Sequence, residues 1–213
     1  VEQSTMQRII DKEVGWDFSD QEEAAIIDMR LGMEKNFLFG SKARFTDPDR
    51  QQEIFLTGGI WNQTDKEFSL AGNFTVERLI EMCRQAFTGN SGSRRKILIG
   101  GSLLIERLSR MDYVKTITAA ETTVKWGVEL KEIRSTFGSL YVMHSEIFDQ
   151  CDHAYDGFIL DPDYLTKYCH TPFSVETLDL RSSGVRNTDA VVITEASCLV
   201  LRYPRAHMRV IGA

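Results

Sequence analysis

The stretch STFGSLYVMHS (135–145), together with GFILDPDYL (157–165), decides the fold of this chain. Apolar residues alternate through the first stretch, which is the pattern of a half-buried strand. The second is a short apolar run that closes at Asp161-Pro162, so it predicts a buried strand followed by a turn. Neither stretch sets a nucleophile, a base and an orienting group at usable spacing. The pattern therefore indicates a surface for packing and assembly instead of an active site.

Composition favours a folded protein whose main function is not nucleic-acid binding. The chain has 213 residues with 42% hydrophobic content, enough for a sizeable core in one large domain or two small ones. Its 31 acids and 25 bases give a net charge of -6. Residues 1–50 carry 11 acids and 7 bases, whereas residues 201–213 carry three arginines and no acid. This asymmetry fits complementary contacts between copies, and it fits two ordinary solvated faces equally well.

Cysteine usage and hydropathy indicate the compartment. The four cysteines, at positions 83, 151, 169 and 198, are widely spaced and lack a CxxC pair, so we expect no disulfide scaffold and a reducing compartment. No apolar stretch approaches the roughly 20 residues of a membrane span, and no signal peptide is recognisable. We therefore expect a soluble intracellular protein without membrane association.

Helical patterns come first along the chain. A capping box at Asp20-Gln21-Glu22-Glu23 predicts a long helix that ends at Gly40, with an apolar stripe so wide that it must be covered from more than one side. A loop-rich connector with a short hairpin is expected over 45–74. Thr75 predicts the cap of a second helix, whose expected inner face is Val76, Leu79, Ile80, Cys83 and Phe87.

The sequence pattern predicts mainly strands in the second half of the chain. Ile97–Ile99 predicts a short buried strand, and Gly100-Gly101-Ser102 a turn into a third helix with Ser102 as its N-cap. Further strands are predicted over 124–131, 137–144, 157–160, 191–193 and 198–201. Asp161-Pro162 and Thr171-Pro172 should bracket a short helical turn, and Pro204 should confine the following segment to a turn or an edge. This order of elements is α+β.

Several residue groups resemble chemical sites but have simpler explanations. The Gly100-Gly101-Ser102 turn could present N–H groups to a phosphate, yet the lysine and glycine spacing of a P-loop are missing. Cys151-Asp152-His153 and Cys169-His170 lack zinc spacing. Three aspartates, at positions 149, 152 and 156, suggest a solvated acidic loop rather than a calcium loop. His144-Ser145-Glu146 cannot form a triad from adjacent positions. We therefore predict no catalytic, cofactor-binding or metal-binding residues.

Aromatic and charged residues are the better candidates for function. Large aromatic side chains and arginines anchor many protein interfaces, although each of these aromatic side chains could equally be ordinary core. The candidate assembly residues are Glu34, Phe39, Trp61, Trp126, Arg202, Arg205 and Arg209.

Four further stretches carry a resemblance to a known family. They are EKNFLFG (34–40), RKILIGGS (95–102), DPDYL (161–165) and LVLRYPRAH (199–207). In this order, and with the two stretches quoted first, they resemble the major capsid proteins of tailed bacteriophages. The resemblance covers roughly residues 20–213, and each motif alone is short.

The resemblance implies the capsid fold that tailed phages and herpesviruses share, with a long spine helix, a peripheral domain and an axial domain. Residues 1–74 would be the peripheral-domain part with the spine helix and connector. Residues 75–189 would be mainly axial, and residues 190–213 would be closing strands that return to the peripheral domain. Family members carry an N-terminal arm and an extended loop before the spine helix. Val1–Thr5 would then be the descending end of that loop, and the chain a fragment of a larger protein.

The implied function is structural. The protein would self-assemble into hexamers and pentamers of an icosahedral phage or prophage capsid that encloses double-stranded DNA, without enzymatic activity or cofactors. Implied partners are other copies, scaffolding, portal or decoration proteins, and packaged DNA touched without sequence readout. The implied location is the virion capsid, assembled in the bacterial cytoplasm. A bacterial nanocompartment shell protein and a small α+β phosphate-binding enzyme are the alternatives.

Overall fold

The structure is a computed structural model that describes residues 2–4, 18–48, 51, 53–70, 72, 75–89, 92–111, 123–125, 128–180, 182, 184 and 188–212. The helices are α1 (Phe18–Phe39), α2 (Ile60–Gln63), α3 (Val76–Phe87), α4 (Ser102–Arg110) and α5 (Glu146–Gln150), with short 3-10 helices at Pro162–Tyr164 and Pro204–Ala206. The strands are β1 (Glu2–Ser4), β2 (Ala43–Thr46), β3 (Glu53–Leu56), β4 (Lys66–Ser69), β5 (Arg95–Gly100), β6 (Thr123–Lys125), β7 (Val128–Arg134), β8 (Ser139–His144), β9 (Gly157–Leu160), β10 (Leu165–Asp179), β11 (Thr188–Leu201) and β12 (Met208–Ile211).

The chain divides into two compact units. The first unit comprises residues 1–34 and 167–198, and the second unit comprises residues 35–166 and 199–213. Elements α1, β10 and β11 each run across the boundary between them.

A mixed sheet forms the centre of the second unit. Within the described residues its strand order is β4-β12-β9-β5-β8-β7-β6. The pairs β4–β12 and β5–β8 are parallel, and the other pairs are antiparallel. Because β5, β8, β9 and β12 come from distant parts of the sequence, this sheet ties the end of the chain to its middle.

Strand β9 is buried on both of its faces, as the continuous apolar run in the sequence predicts. Ile159 points into a cluster with α3 and α4, in which Leu79, Met82, Leu104 and Leu108 are almost fully buried. Phe158 and Leu160 point to the opposite face and pack with Leu38, Ile60, Ile147, Phe148 and Leu201. Alternate residues of one strand therefore build two separate cores.

The first unit combines the main part of α1 with a three-stranded sheet of order β1-β11-β10. Lys167 of β10 and Glu195 of β11 form an ion pair of 2.5 Å, and Arg30 of α1 lies 5.2 Å from the ring centre of Phe173. Among the described residues of this unit, the apolar side chains that are fully buried are Ala190 and Val191. The described part of this unit thus has a thin core.

An isolated hairpin follows α1. Strands β2 and β3 pair antiparallel, and Arg44 contacts both Glu53, at 2.6 Å, and the Phe55 ring, at 5.2 Å from its centre. Phe45, Phe55 and Leu56 expose 47%, 65% and 42% of their surface. Two-stranded hairpins are marginally stable alone, so exposed apolar side chains of this size indicate a contact surface.

Several sequence predictions are confirmed. Gly40 ends the long helix, and Thr75 caps α3 by accepting from Arg78 N. The expected short hairpin is present, although it begins at Ala43, two residues before the predicted connector. The predicted buried strand at 97–99 is the middle of β5, and the strand at 157–160 is β9. No helix among the described residues is long and apolar enough to cross a membrane.

Other predictions are wrong in detail. The helix α1 begins at Phe18, and so Asp20 lies in its first turn instead of at the cap. Ile80 is 41% exposed, because the buried face of α3 consists of Leu79, Met82, Cys83 and Ala86. Ser102 is the first helical residue, with Gly101 at the cap position.

The strands of the second half are longer or more divided than predicted. Residues 165–179 form one strand that includes Pro172, which β10 tolerates as an edge strand of its sheet. The strands predicted at 191–193 and 198–201 are one strand, β11. Within the predicted strand at 124–131, residues 124–125 belong to β6 and residues 128–131 to β7. Strand β12 was not predicted, although it lies between β4 and β9. Strand pairing overrides local pattern at each of these places.

Candidate functional site

The end of α1 and the start of α2 touch through their backbones. Gly59 N donates to Gly40 O at 2.7 Å, and the Asn62 side chain donates to the same carbonyl at 2.8 Å. A Cβ atom on Gly59 would come within 2.6 Å of Gly40 N, so this approach requires glycine. The contact brings Trp61 next to Phe39.

Phe39 and Trp61 belong to an aromatic cluster with His153 between them. The His153 ring is stacked on Phe39 at 4.6 Å between ring centres, and it lies 4.5 Å from the Trp61 ring. Phe148 and Phe158 lie 5.1 and 5.9 Å from Phe39 and are fully buried. Phe39 and Trp61 are only partly buried. Both predicted anchors therefore form the outer layer of a core, and their role in an interface stays a prediction.

Arg209, which lies on β12, contacts Trp61 of this cluster. Its Nε and Nη2 atoms lie 2.8 and 2.7 Å from Glu67 Oε2, its Nη1 donates to Trp61 O at 3.1 Å, and its guanidinium lies 5.6 Å from the Trp61 ring centre. Of the three arginines in the basic C-terminal tip, Arg209 is thus engaged within its own chain.

The other two arginines stand on an exposed pair of turns. Tyr164 and Tyr203 have ring centres 5.4 Å apart, and with Asp163 and Arg202 they line an open cavity of about 380 Å³, which we call the tyrosine pocket. Arg202 N donates to Tyr164 O at 3.0 Å, which joins the two turns. Arg205 follows on the second turn, and both arginine side chains are exposed.

A buried polar group beneath these turns was not predicted. Lys96 is 1% exposed, and its Nζ donates to Ala86 O at 2.7 Å and to Ala206 O at 2.6 Å. Asp161 is fully buried, and its Oδ2 accepts from Ser93 N at 2.7 Å. Lys96 thus satisfies a carbonyl at the end of α3 and holds the 204–206 turn against the sheet.

His207 completes this group. Its Nδ1 accepts from Asp161 N at 3.2 Å, and its Nε2 has no hydrogen-bond partner among the described residues. Burial lowers the pKa of His207 to about 4, with help from the Lys96 charge and against the opposing effects of Asp161 and the Tyr164 carbonyl. Burial also lowers the pKa of Lys96 to about 8, although Asp161 opposes that shift. His207 is therefore neutral near pH 7, and the two turns rest on a buried group of hydrogen-bonded side chains.

The N-terminus of α4, where a phosphate cradle was considered, is already occupied. Asp149 Oδ1 accepts from Ser102 N at 3.0 Å and from Ser102 Oγ at 2.7 Å. Ala154 O accepts from Leu103 N and Leu104 N at 3.1 Å each. A Cβ atom on Gly101 would also lie 2.5 Å from Ala154 O. The helix end binds its own chain, which leaves no free donors for an external anion.

The acidic loop is more ordered than a solvated loop. Burial raises the pKa of Asp149, but hydrogen bonds from Ser102 and His144 together bring it below its ordinary value. Asp156 is buried and accepts from Gly212 N at 2.9 Å, and its other oxygen lies 2.6 Å from His153 Nδ1. The prediction of a solvated loop is wrong for these two aspartates, whereas Asp152 is exposed.

The other potentially reactive side chains that the structure describes do not form a metal-binding cluster or a disulfide. No cluster of three or more potential metal ligands exists among the described residues, and Cys83, Cys151, Cys169 and Cys198 are all free thiols. Burial raises the pKa of the Cys83 thiol to about 11, so this thiol is a poor nucleophile.

The structure brings together some predicted assembly residues and not others. Phe39, Trp61 and Arg209 share one cluster, and Arg202 and Arg205 share the two turns. Glu34 is exposed on α1 in the first unit, and Trp126 lies outside the described residues. The one sequence signal for the missed buried group was Lys96 inside an otherwise apolar strand. Asp161 and His207 carried no such signal in the sequence.

Comparison with known proteins places these features in a family. A profile of the SU10 major capsid protein family matches residues 1–213. No curated protein sequence matches the chain significantly. Among solved structures, the holo-SrpI encapsulin complex from Synechococcus elongatus PCC 7942 is similar with a TM-score of 0.63 and 10% identity, over 100% of this chain and 71% of that one. A chain from Gordonia phage Cozz is similar with a TM-score of 0.54 and 12% identity, over 100% of this chain and 68% of that one.

These likenesses confirm the α+β capsid fold expected from the sequence, and the profile match spans the whole chain. The role that follows is that of a structural subunit, which associates with its own copies to form the shell of a virion capsid. The chain belongs to the SU10 major capsid protein family.

Proposed function

We propose that the protein forms hexamers and pentamers of an icosahedral phage or prophage capsid that encloses double-stranded DNA and is assembled in the bacterial cytoplasm. The observation that carries this proposal is the family match over all 213 residues. The fold likeness to a chain of Gordonia phage Cozz supports it. In such a shell the subunit has no catalytic task, and its residues serve packing and contact.

The proposed mechanism is assembly through many weak, repeated contacts. Each interface contributes modestly, and a closed symmetric lattice multiplies them into a stable shell. Exposed apolar side chains support it, since Phe55 of the hairpin and Ile27 of α1 are more than half exposed in the single chain. In a shell, other copies could cover these side chains.

We propose the domain ranges expected from the resemblance: residues 1–74 as the peripheral part, 75–189 as mainly axial, and 190–213 as closing strands. The pairing of β1 with β11 supports this assignment. It joins residues 2–4, in the proposed peripheral part, to residues 188–190, at the start of the proposed closing strands, in one sheet.

Packaged DNA would touch the inner wall without sequence readout, which suits the net charge of -6. Scaffolding, portal or decoration proteins would be further partners in shell assembly.

A bacterial nanocompartment shell is the second candidate, favoured by the likeness to the SrpI encapsulin structure. The contents of the shell distinguish the two. A capsid would contain nuclease-protected DNA, whereas a nanocompartment would contain protein cargo. The third alternative, a phosphate-binding enzyme, loses its support because Asp149 occupies the N-terminus of α4.

The test is negative-stain microscopy with mass photometry on residues 1–213 and on the full-length gene product. We expect closed shells, or rings with five- and six-fold symmetry, from at least one of them. Monodisperse monomers from both would contradict the proposal and would direct attention to ligand screening.

A further inference from the structure

One end of the central sheet carries a concentration of cations. Strands β4, β5 and β12 begin at this end and β9 ends there, as their pairing registers show. The turns at 162–164 and 204–206 lie just outside the strands. We call the cationic side chains of these segments the basic end: Lys66, Arg94, Arg95, Arg202 and Arg205.

The segments that carry these cations are in contact with one another. A Cβ atom on Gly92 would lie 2.9 Å from a ring atom of Tyr164 and 3.1 Å from Ala206 Cβ, so the loop before β5 lies against both turns. Burial lowers the pKa of Lys66, and the charge of the nearby Arg205 lowers it further. The cations therefore share one surface and repel each other.

The chain does not neutralise this surface itself. The four arginines of the basic end are exposed, and their guanidinium groups form no ion pair or hydrogen bond in the described part of the chain. Elsewhere in that part, arginines that pair with a carboxylate of their own chain are Arg44, Arg78, Arg110, Arg134 and Arg209. Unpaired cations that lie together retain their full attraction for an external anion.

Few acids oppose the five cations. In the described segments that form the basic end and its flanks, the acids are Asp65, Asp161 and Asp163, and Asp161 is fully buried. The surface is thus locally positive in a chain whose net charge is -6. Such a local excess favours a ligand with many negative charges over a single carboxylate.

The tyrosine pocket extends the basic end beside Arg202. Its two tyrosine rings, Tyr164 and Tyr203, lie 5.4 Å apart and are partly buried. Arginine, lysine and tyrosine side chains are common donors to the phosphates of nucleic acids. Guanidinium groups also pair with phosphate through two parallel hydrogen bonds.

We propose that the basic end binds the phosphate backbone of double-stranded DNA and is the surface through which the subunit contacts packaged DNA. This inference rests on the shell-forming function and names the residues that meet the DNA. The five cations come from separate segments, so they present a broad positive field that suits a regular row of phosphates. The DNA is bound without sequence readout.

The test is fluorescence anisotropy with a labelled DNA duplex of mixed sequence and free subunits of the full-length protein. If three to five phosphates are neutralised, the logarithm of affinity should fall with the logarithm of salt concentration with a slope of about -3 to -4.5. Arg202→Gln and Arg205→Gln should each weaken binding roughly fivefold to tenfold at about 0.1 M salt and reduce the slope by about 1. Arg205→Lys should keep most of the affinity.

Two further variants separate charge at this surface from general effects. Arg44→Gln removes an exposed arginine that Glu53 already neutralises, so it should leave affinity and slope unchanged. Asp163→Asn removes an exposed acid from the basic end and should tighten binding about twofold or more. A gain in affinity cannot arise from damage to the fold. Circular dichroism checks the folding of every variant.

The double variant Arg202→Gln with Arg205→Gln extends the test to shells. It should form shells at the wild-type level that hold less nuclease-protected DNA. Unchanged duplex binding in this variant, or an equal loss in Arg44→Gln, would overturn the inference. Polyglutamate that displaces the duplex at a lower concentration of charge would also overturn it and would assign the basic end to an acidic protein segment.

The same experiments separate this inference from the proposed function. Wild-type shells whose free subunits do not bind the duplex would overturn the inference alone. A wild-type protein that forms no shells would contradict the proposed function, whatever its subunits bind.

Discussion

His207 is a buried titratable side chain whose charge state the fold controls. It is fully buried, its pKa is lowered to about 4 by burial, and Lys96 is the cation beside it. In the unfolded chain a histidine has a pKa near 6.5. Between these two values the unfolded state binds a proton that the folded state does not, so the folded state loses stability as pH falls.

We therefore predict a loss of roughly 2 kcal/mol of subunit stability from His207 as pH falls from 6.5 toward 4. Chemical denaturation at several pH values measures it. In His207→Gln, the acid-dependent part of the loss should shrink, because glutamine keeps an acceptor for Asp161 N without titrating. His170→Gln, at an exposed position on β10, should keep the full loss. An unchanged pH profile in His207→Gln would contradict the prediction.

Helix α4 depends on a cap that another element supplies. Gly101 at the cap position has no side chain, and Asp149 of α5 takes over by accepting from Ser102 N and Ser102 Oγ. A carboxylate at this end also meets the positive end of the helix dipole. The cap therefore couples α4 to α5, although 47 residues separate Ser102 from Asp149.

Asp149→Ala should destabilise the subunit by about 1 kcal/mol, the usual effect of losing an N-cap. Thermal or urea unfolding measures it. Asp152→Asn, at a nearby exposed position with φ of 62° that asparagine tolerates, removes a charge without removing a cap and should change stability little. Equal stability of Asp149→Ala and the wild type would show that the N-terminal donors of α4 find water instead.

At the scale of the whole molecule, the two units differ in how much apolar surface they bury. The second unit has two clusters of buried side chains around its sheet. In the first unit, as far as it is described, Ala190 and Val191 are the buried apolar residues, while Tyr168, Phe173 and Leu178 are exposed by more than a third. Local stability follows buried contacts, so the first unit should open more easily in a free subunit.

Hydrogen exchange should therefore differ between subunit and shell. We expect amides of β5, β8 and β9 to exchange slowly in both states, and amides of β10 and β11 to become slow only after assembly. Mass spectrometry on the two fractions from one preparation makes the comparison. Equal protection of β10 and β11 in free subunits would mean that the first unit does not need its neighbours for stability.

The sequence by itself determined the elements whose burial is local. The long helix with its end at Gly40, the cap at Thr75 and the doubly buried β9 followed from periodicity and turn chemistry, since these signals depend on neighbouring residues. The ordered motifs also indicated the family.

Only the tertiary structure decided which side of a pattern is covered and which distant residues meet. Lys96, Asp161 and His207 come together because β5, β9 and β12 are neighbours in the sheet: Lys96 lies on β5, Asp161 directly follows β9, and His207 directly precedes β12. No spacing in the chain reveals that. Likewise, periodicity marked Ile26 and Ile27 alike, but packing covers the first and exposes the second. Sequence patterns indicate which residues tend to be buried, whereas the fold determines which residues each of them contacts.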